Sequence, residues 1–306
     1  MPHPAPVPMV LLDGGTGREL KRIGAPFQQP AWSALALIEG PQFVTQVHQS
    51  YVAAGADMIT TNTYAVVPFH IGADRFAARG ADLAALAGSL ARQVADGAPR
   101  RVAVAGSLPP ICGSYRPDLV DIAAARPILA VLVGALTPFV DTWLAETLSS
   151  LSEAELVAEL TAGTGKPLWL SFTLDDTHPD AVARLRSGES VADATRMAQR
   201  LGASAILFNC SQPEVMADAV RAAQGAGDLP IGVYANAFPP QPEETEANAV
   251  LLDIRADLDP AGYVAFAQLW REAGATIVGG CCGIGPEHIA ALRALAPAHH
   301  DFLGRL

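Results

Sequence analysis

The chain has no cluster of lysines and arginines, no apolar stretch long enough to cross a bilayer, and only four cysteines in 306 residues. Each shortage removes a class of function. With 20 Lys and Arg against 31 Asp and Glu, the net charge is -11. A chain so charged repels phosphate backbones and has no local patch to neutralise them, so a nucleic-acid partner is not expected. The longest apolar run, Ile128 to Leu136, is interrupted by Gly134 and followed closely by Pro138, far short of the ~20 residues that span a membrane. Met1-Pro2-His3-Pro4 carries neither a basic nor an apolar leader segment, which predicts no membrane association and a cytoplasmic location. In such a reducing compartment four cysteines read as free, catalytic or metal-bound thiols, not as a disulfide framework.

What remains is abundant apolar material. Half the residues are hydrophobic and 17% are charged, the composition of a sheet buried on both faces by Ala-rich helices. Eight short β-type runs recur, each followed by residues with apolar spacing of helical period: Met9 to Leu12, Asp57 to Thr61, Val102 to Ala105, Phe139 to Leu144, Leu168 to Phe172, Ala205 to Phe208, Ile231 to Tyr234 and Thr276 to Val278. Eight alternations predict a single α/β domain over residues 1–306, a (β/α)8 TIM barrel, with a doubly wound open sheet as the alternative. Barrel chemistry sits at the C-terminal ends of the strands. There the chain places Asp13-Gly14-Gly15, Asn62-Thr63-Tyr64, Gly106-Ser107, Glu146-Thr147, Thr173, Asn209-Cys210, Asn236 and Cys281-Cys282.

The most unusual of these stretches is Gly279-Gly280-Cys281-Cys282-Gly283. Adjacent Cα atoms lie ~3.8 Å apart, closer than the ~4.4 to 6.8 Å usual for a disulfide, so a bridge between Cys281 and Cys282 would be strained. The flanking glycines give the backbone freedom to turn both sulfurs toward one point. A soft metal is the reading favoured over two small buried residues. Strand six brings Cys210 to the same rim, completing a set of three cysteines with one open position, the pattern of catalytic zinc. Three thiolates make zinc a weak Lewis acid toward water and leave electron density on a fourth sulfur, which favours alkyl transfer to a thiol over hydrolysis.

Taken together, Leu11-Leu12-Asp13-Gly14-Gly15-Thr16-Gly17, Thr61-Asn62-Thr63-Tyr64, Ala145-Glu146-Thr147, Phe208-Asn209-Cys210 and Gly279-Gly280-Cys281-Cys282-Gly283 resemble the homocysteine S-methyltransferase family over nearly the whole chain. The resemblance implies zinc-dependent transfer of a methyl group to the zinc-bound thiolate of homocysteine, a step of methionine biosynthesis. It implies Cys210, Cys281 and Cys282 as zinc ligands and Asp13 and Glu146 as carboxylates for the substrate ammonium group. Gly14 and Gly15 become a wall of the amino-acid pocket, and Asn209 a neighbour that shapes the metal site. Tyr64 is a candidate to face a cationic methyl donor.

Each residue also has a plain structural reading: Asp13 as a helix cap or turn residue, Glu146 in a rim ion pair with an arginine, Asn209 holding its own loop, Tyr64 packing the rim. Thr147 after Glu146, and the end at Leu306, differ from members that use betaine. The expected donor is therefore a sulfonium, S-methylmethionine or S-adenosylmethionine. Alternatives are a non-catalytic zinc- or thiol-binding barrel, and a methyltransferase that uses betaine or acts on another small thiol or selenol. Oligomeric state is not written in the sequence.

Three further stretches complete the expectations. Cys112 belongs to neither cysteine motif and reads as a packed residue. The Pro-rich segments at residues 108–116 and 238–244 read as long loops. Pro286-Glu287-His288 opens a last helix with His288 on its surface.

Overall fold

A computed structural model describes residues 8–177, 182–239 and 253–295. Eight parallel strands lie in the order β1-β8-β7-β6-β5-β4-β3-β2. They are β1 (Val10–Leu11), β2 (Met58–Thr60), β3 (Ala103–Leu108), β4 (Thr142–Leu148), β5 (Leu168–Phe172), β6 (Ala205–Asn209), β7 (Ile231–Tyr234) and β8 (Ile277–Val278). Between them run α1 (Thr16–Arg22), α2 (Ala34–Glu39), α3 (Pro41–Ala53), α4 (Pro68–Ile71), α5 (Ala73–Asp96), α6 (Ile122–Leu136), α7 (Leu151–Thr161), α8 (Val191–Arg200), α9 (Pro213–Gln224) and α10 (Pro260–Ala273), with α11 (Pro286–Arg293) after β8. The expected barrel is thus formed, and the open sheet is set aside. Among the described residues no helix is long and apolar enough to cross a membrane.

Strand alternation divides the core in two. Val10, Leu12, Met58, Ala103, Ala105, Leu144, Trp169, Ala205, Leu207 and Ile277 fill the barrel interior. Their neighbours Leu11, Ile59, Val104, Trp143, Leu168, Leu170, Ile206 and Phe208 pack outward in a separate, larger cluster with the helices. Continuing the two-residue period toward the rim, the next inward layer is polar: Ser107, Glu146, Ser171 and Asn209. All four are buried. The barrel therefore ends in a polar floor that a site can stand on.

Closure is weakest between β1 and β2, where the ladder contact among the described residues is the single bridge Leu12 to Met58. Two aspartates complete the seam. Asp57 Oδ2 accepts the Leu11 N–H at 2.9 Å, and Asp13 Oδ2 accepts the Thr60 N–H at 2.7 Å.

Candidate active site

A cavity opens at the C-terminal rim with about 790 Å³ of empty space, its open mouth included. Asp13, Gly14, Gly15, Tyr64, Glu146, Cys210, Cys281 and Cys282 all line it. Asn209 is buried just beneath. Residues from both ends of the sequence are thus gathered at one mouth, as the strand reading required.

The three sulfurs lie within 4.8 Å of one another, with Cys210 Sγ 2.9 Å from Cys281 Sγ. A tetrahedral ion with bonds of ~2.3 Å holds its sulfurs roughly 3.8 Å apart, so the cluster is of the right size for one metal ion. The chemistry of the donor set agrees. Hydrogen bonds from Cys210 and Cys281 hold the Cys282 thiol well below its ordinary range, whereas sharing with Cys210 and Cys282 pushes Cys281 well above it. Without a cation the cluster does not ionise three times; a divalent metal is what would let all three be thiolates.

The glycines act differently from expectation. Gly279 and Gly280 do not take a positive φ; of the run, only Gly283 does, at +87°. What Gly279 and Gly280 provide is room, since a Cβ at Gly279 would lie 2.5 Å from Leu12 Cβ and one at Gly280 2.2 Å from Ile284 Cγ2. Across from them a Cβ at Gly14 would meet the Ile284 carbonyl at 2.3 Å, and one at Gly15 the Cys281 carbonyl at 2.5 Å. Two glycine pairs therefore let the loops after β1 and β8 touch backbone to backbone, pinned by Gly15 N–H to Ile284 O and Gly280 N–H to Asp13 O. The turn after β8, with Ile284 N–H donating to Cys281 O, brings the adjacent sulfurs together.

The two carboxylates sit without cations. Asp13 caps no helix; its oxygens accept from the Thr60 N–H and, at 2.9 Å, the Thr60 hydroxyl. Glu146 meets no arginine: it accepts from Ser107 Oγ at 2.5 Å and Tyr234 OH at 3.5 Å. Burial, joined at Asp13 by the nearby Glu146 charge, pushes each up to about 7. No lysine or arginine lines the cavity among the described residues. A cation placed between two such carboxylates would favour their charged forms.

Asn209 does not line the cavity and does not hold its own loop. Its Oδ1 accepts from the Thr147 N–H at 2.9 Å and Ser171 Oγ at 2.8 Å, while its Nδ2 donates to the Thr147 hydroxyl at 2.9 Å. Thr147 needs holding, because its φ is +60°, an outlier for a β-branched residue. Trp32, Tyr115, Thr147 and Cys210 are the non-glycine residues with positive φ among those described, and all four line the cavity. Among the described residues, then, left-handed backbone at non-glycine positions is confined to the site.

Tyr64 lines the cavity and its hydroxyl bonds Ser114 Oγ. Trp32, Ser33, Thr60, Tyr115 and Tyr234 also face it without being marked by the sequence reading. Tyr115 was visible only as part of a Pro-rich loop, and Trp32 lies in a stretch with no motif; the space for its indole is left by Gly17, whose Cβ would fall 2.6 Å from Trp32 Nε1. His288 corrects the surface assignment: it is buried, accepts the Gly285 N–H at 3.2 Å and contacts the Leu258 carbonyl at 3.0 Å, away from the cavity. Cys112 packs against Asp121, whose N–H it accepts at 3.4 Å. Of the loop at 238–244, all but Phe238 and Pro239 lies outside the described residues.

The model of the family described as homocysteine S-methyltransferase matches residues 10–296. The homocysteine S-methyltransferase of Escherichia coli is 30% identical, over 94% of this chain and 94% of the relative. A selenocysteine methyltransferase of Astragalus bisulcatus is 26% identical, over 91% of this chain and 90% of the relative. Among solved structures, the metallated form of the E. coli homocysteine methyltransferase MmuM superposes with a TM-score of 0.76 at 29% identity, covering 94% of this chain and 96% of that one.

Proposed function

The chain belongs to the homocysteine S-methyltransferase family, and from that premise we propose that it transfers a methyl group from a sulfonium donor, S-methylmethionine or S-adenosylmethionine, to homocysteine, giving methionine. The observation that carries this reading is the juxtaposition of three convergent thiols with two buried, cation-free carboxylates in one cavity. Cys210, Cys281 and Cys282 would hold zinc, which supplies ionisation of the homocysteine thiol at neutral pH.

The protein's own residues then do three things. Asp13 and Glu146 receive the ammonium group of homocysteine, each charge-assisted bond contributing ~1.5 to 3 kcal/mol. Gly14 and Gly15 form a wall of the amino-acid pocket and let that wall close against the loop after β8. Trp32, Tyr64 and Tyr115 turn aromatic surface to a cationic donor. The step itself forms a bond between the homocysteine sulfur and the methyl carbon while the donor's sulfur–methyl bond breaks. That electron pair stays on the leaving sulfur, which becomes a neutral thioether. No proton moves in the step, so positioning and exclusion of water are the main demands. A cavity that no lysine or arginine lines among the described residues suits a sulfonium zwitterion and disfavours polyanionic donors.

The test is to supply reduced protein with homocysteine and, separately, S-methylmethionine, S-adenosylmethionine and betaine, and to follow methionine alongside bound zinc. About one zinc per chain is expected, lost in Cys281→Ala, with methionine formed from a sulfonium donor. Zinc without methionine from any donor would favour a zinc- or thiol-binding barrel; betaine as the fastest donor would overturn the sulfonium assignment.

A further inference from the structure

The segment after β5 folds back on itself through antiparallel bridges between Leu174 and Leu185 and between Arg184 and Ser190. The fold-back buries Arg186, whose guanidinium donates to Asp176 Oδ1 at 2.6 Å, with 3% and 0% of the two side chains exposed. Asp176 Oδ2 accepts the Gln212 N–H at 3.0 Å, which holds the carboxylate from its other oxygen. The guanidinium lies 4.9 Å from the centre of the Tyr115 ring. Tyr115 lines the cavity on a backbone φ of +65°, and Arg186 stands behind it without lining the cavity itself. Ser114, the buried residue before Tyr115, hydrogen-bonds the hydroxyl of Tyr64. Two successive residues of the loop after β3 thus supply one cavity tyrosine and tether another.

A buried ion pair seldom adds stability over a packed apolar pair, so its presence calls for another reason. Planarity offers one. A guanidinium can meet a carboxylate with its edge while its face lies on an aromatic ring, which a lysine ammonium cannot do. Charge offers a second. A bare guanidinium behind the wall of a cavity that takes a cationic donor would repel that donor. With Asp176 at hydrogen-bond distance the pair is neutral as a whole, so the ring is gripped without adding net positive charge beside the site. The grip matters because left-handed backbone at a tyrosine is strained and relaxes unless its surroundings hold it.

We infer that Arg186, neutralised by Asp176, is a positioning residue that holds the Tyr115 ring as a wall of the donor subsite, and that this wall selects a sulfonium over an uncharged molecule of the same shape. The inference deepens the function proposed above and rests on its sulfonium-donor reading. A ring face attracts a desolvated cation through its quadrupole, a gain that an uncharged isostere does not share. That gain falls off steeply with misplacement of the ring, which is why the support behind it matters.

The experiment measures, at saturating homocysteine, the KM for S-methylmethionine and for S-adenosylmethionine, and the Ki of an uncharged counterpart competing with each. The counterparts are homoleucine, in which CH replaces the sulfonium, and S-adenosylhomocysteine. Homocysteine KM, bound zinc and the melting temperature are read alongside. Wild type is compared with Tyr115→Phe, Tyr115→Leu, Arg186→Lys, the double variant of the last two, and Arg126→Lys, whose pair with Glu159 is on the surface. Tyr115→Leu is expected to raise the donor KM about tenfold while the Ki of the counterpart, the homocysteine KM and the zinc content stay near wild type. Tyr115→Phe keeps the ring and should lie closer to wild type than the leucine variant. Arg186→Lys keeps a cation for Asp176 but loses the flat face, and should raise the donor KM by a smaller factor. The double variant should be no worse than Tyr115→Leu, since Arg186 acts through the ring, and Arg126→Lys should match wild type. Where Arg186→Lys does not fold, Arg186→Met with Asp176→Asn leaves no buried charge, keeps an acceptor for Gln212, and should raise the donor KM in the same way. Equal losses for donor and uncharged counterpart in Tyr115→Leu overturn the inference, as do additive losses in the double variant. So does an Arg186→Lys protein that melts earlier yet keeps the wild-type donor KM and selectivity. A wild type that makes no methionine from either sulfonium defeats the donor reading itself, an outcome distinct from an active wild type whose variants discriminate equally well.

Discussion

Asp57 and Asp13 do the same structural work at opposite ends of the β1–β2 seam, each accepting a backbone N–H that the ladder leaves over. Both are almost fully buried. They differ in what answers their charge. At the closed end Arg293 lies 3.1 Å from Asp57 and Arg100 3.8 Å from it. At the rim Asp13 faces a cavity that no lysine or arginine lines among the described residues, with Glu146 as a second uncompensated carboxylate. One end of the barrel is electrostatically finished by the chain. The other is left open, to be finished under the proposed function by the substrate's ammonium group.

Crossed substitutions are the strongest way to break that comparison. Asp57→Asn leaves two guanidinium groups without their shared carboxylate, and is expected to cost roughly 3 kcal/mol of stability while leaving the KM for homocysteine at its wild-type value. Asp13→Asn keeps the shape and an acceptor for Thr60, so denaturant unfolding at pH 8 should be no easier than for wild type. The same change should weaken homocysteine binding about 10 to 100-fold, the equivalent of one charge-assisted bond. If Asp13→Asn instead unfolds as readily as Asp57→Asn and binds normally, the rim aspartate is only a seam closure.

Acid should act on the open end in two opposite directions. Burial lifts Asp13 and Glu146 to about 7, above the values near 4 they have when unfolded. Between those limits the folded, ligand-free protein holds more protons than the unfolded chain. Their contribution is therefore destabilising above pH 7 and is relieved as pH falls toward 4. Ligand binding runs the opposite way, because a protonated carboxyl no longer attracts an ammonium group. Methionine is the clean probe, since its sulfur carries no proton to titrate. Its affinity should fall by up to about tenfold per pH unit below 7, and calorimetry should register proton release on binding. An affinity flat from pH 8 to 5.5 would mean that neither carboxylate receives the ammonium group.

Sequence reading reached the finished end of this molecule better than the open one. Leu168–Phe172 and Ile231–Tyr234 match their predicted runs because both are mostly apolar, Ser171 being the one polar residue in them. Strand β4, expected at Phe139 to Leu144, spans Thr142–Leu148. Hydrophobicity fades where Glu146 and Thr147 turn to the cavity, so a pattern that tracks burial among apolar groups stops just where the site begins. The three cysteines were legible because their residue type is rare and their chemistry narrow. Trp32, Tyr115 and Tyr234 were not, since aromatics serve core and cavity alike and only backbone strain or depth in the barrel tells them apart. Asp57 was read as the start of a strand; its role depends on Arg100 and Arg293, far away in sequence.

His48 sharpens the comparison by supplying a third case. It lies on α3 with its ring wholly buried, and neither nitrogen has a hydrogen-bond partner among the described residues. Desolvation lowers it to about 4. Asp57 is answered by the chain and, under the proposed function, Asp13 by a ligand; His48 is answered by staying neutral, which still leaves a donor and an acceptor out of water. His48→Leu should therefore stabilise the metal-free protein by about 1 kcal/mol at pH 8. The gain should grow on acidification. Below pH 6.5 the unfolded chain takes up a proton that the folded ring refuses until about 4, so wild type loses stability through that window, by at most roughly 3 kcal/mol. The leucine variant is spared this loss. Urea unfolding of both proteins at pH 8, 6 and 5 reads the widening gap directly. A gap that stays constant, or a variant weaker at every pH, would place His48 with Asp57 among groups whose needs the fold already meets.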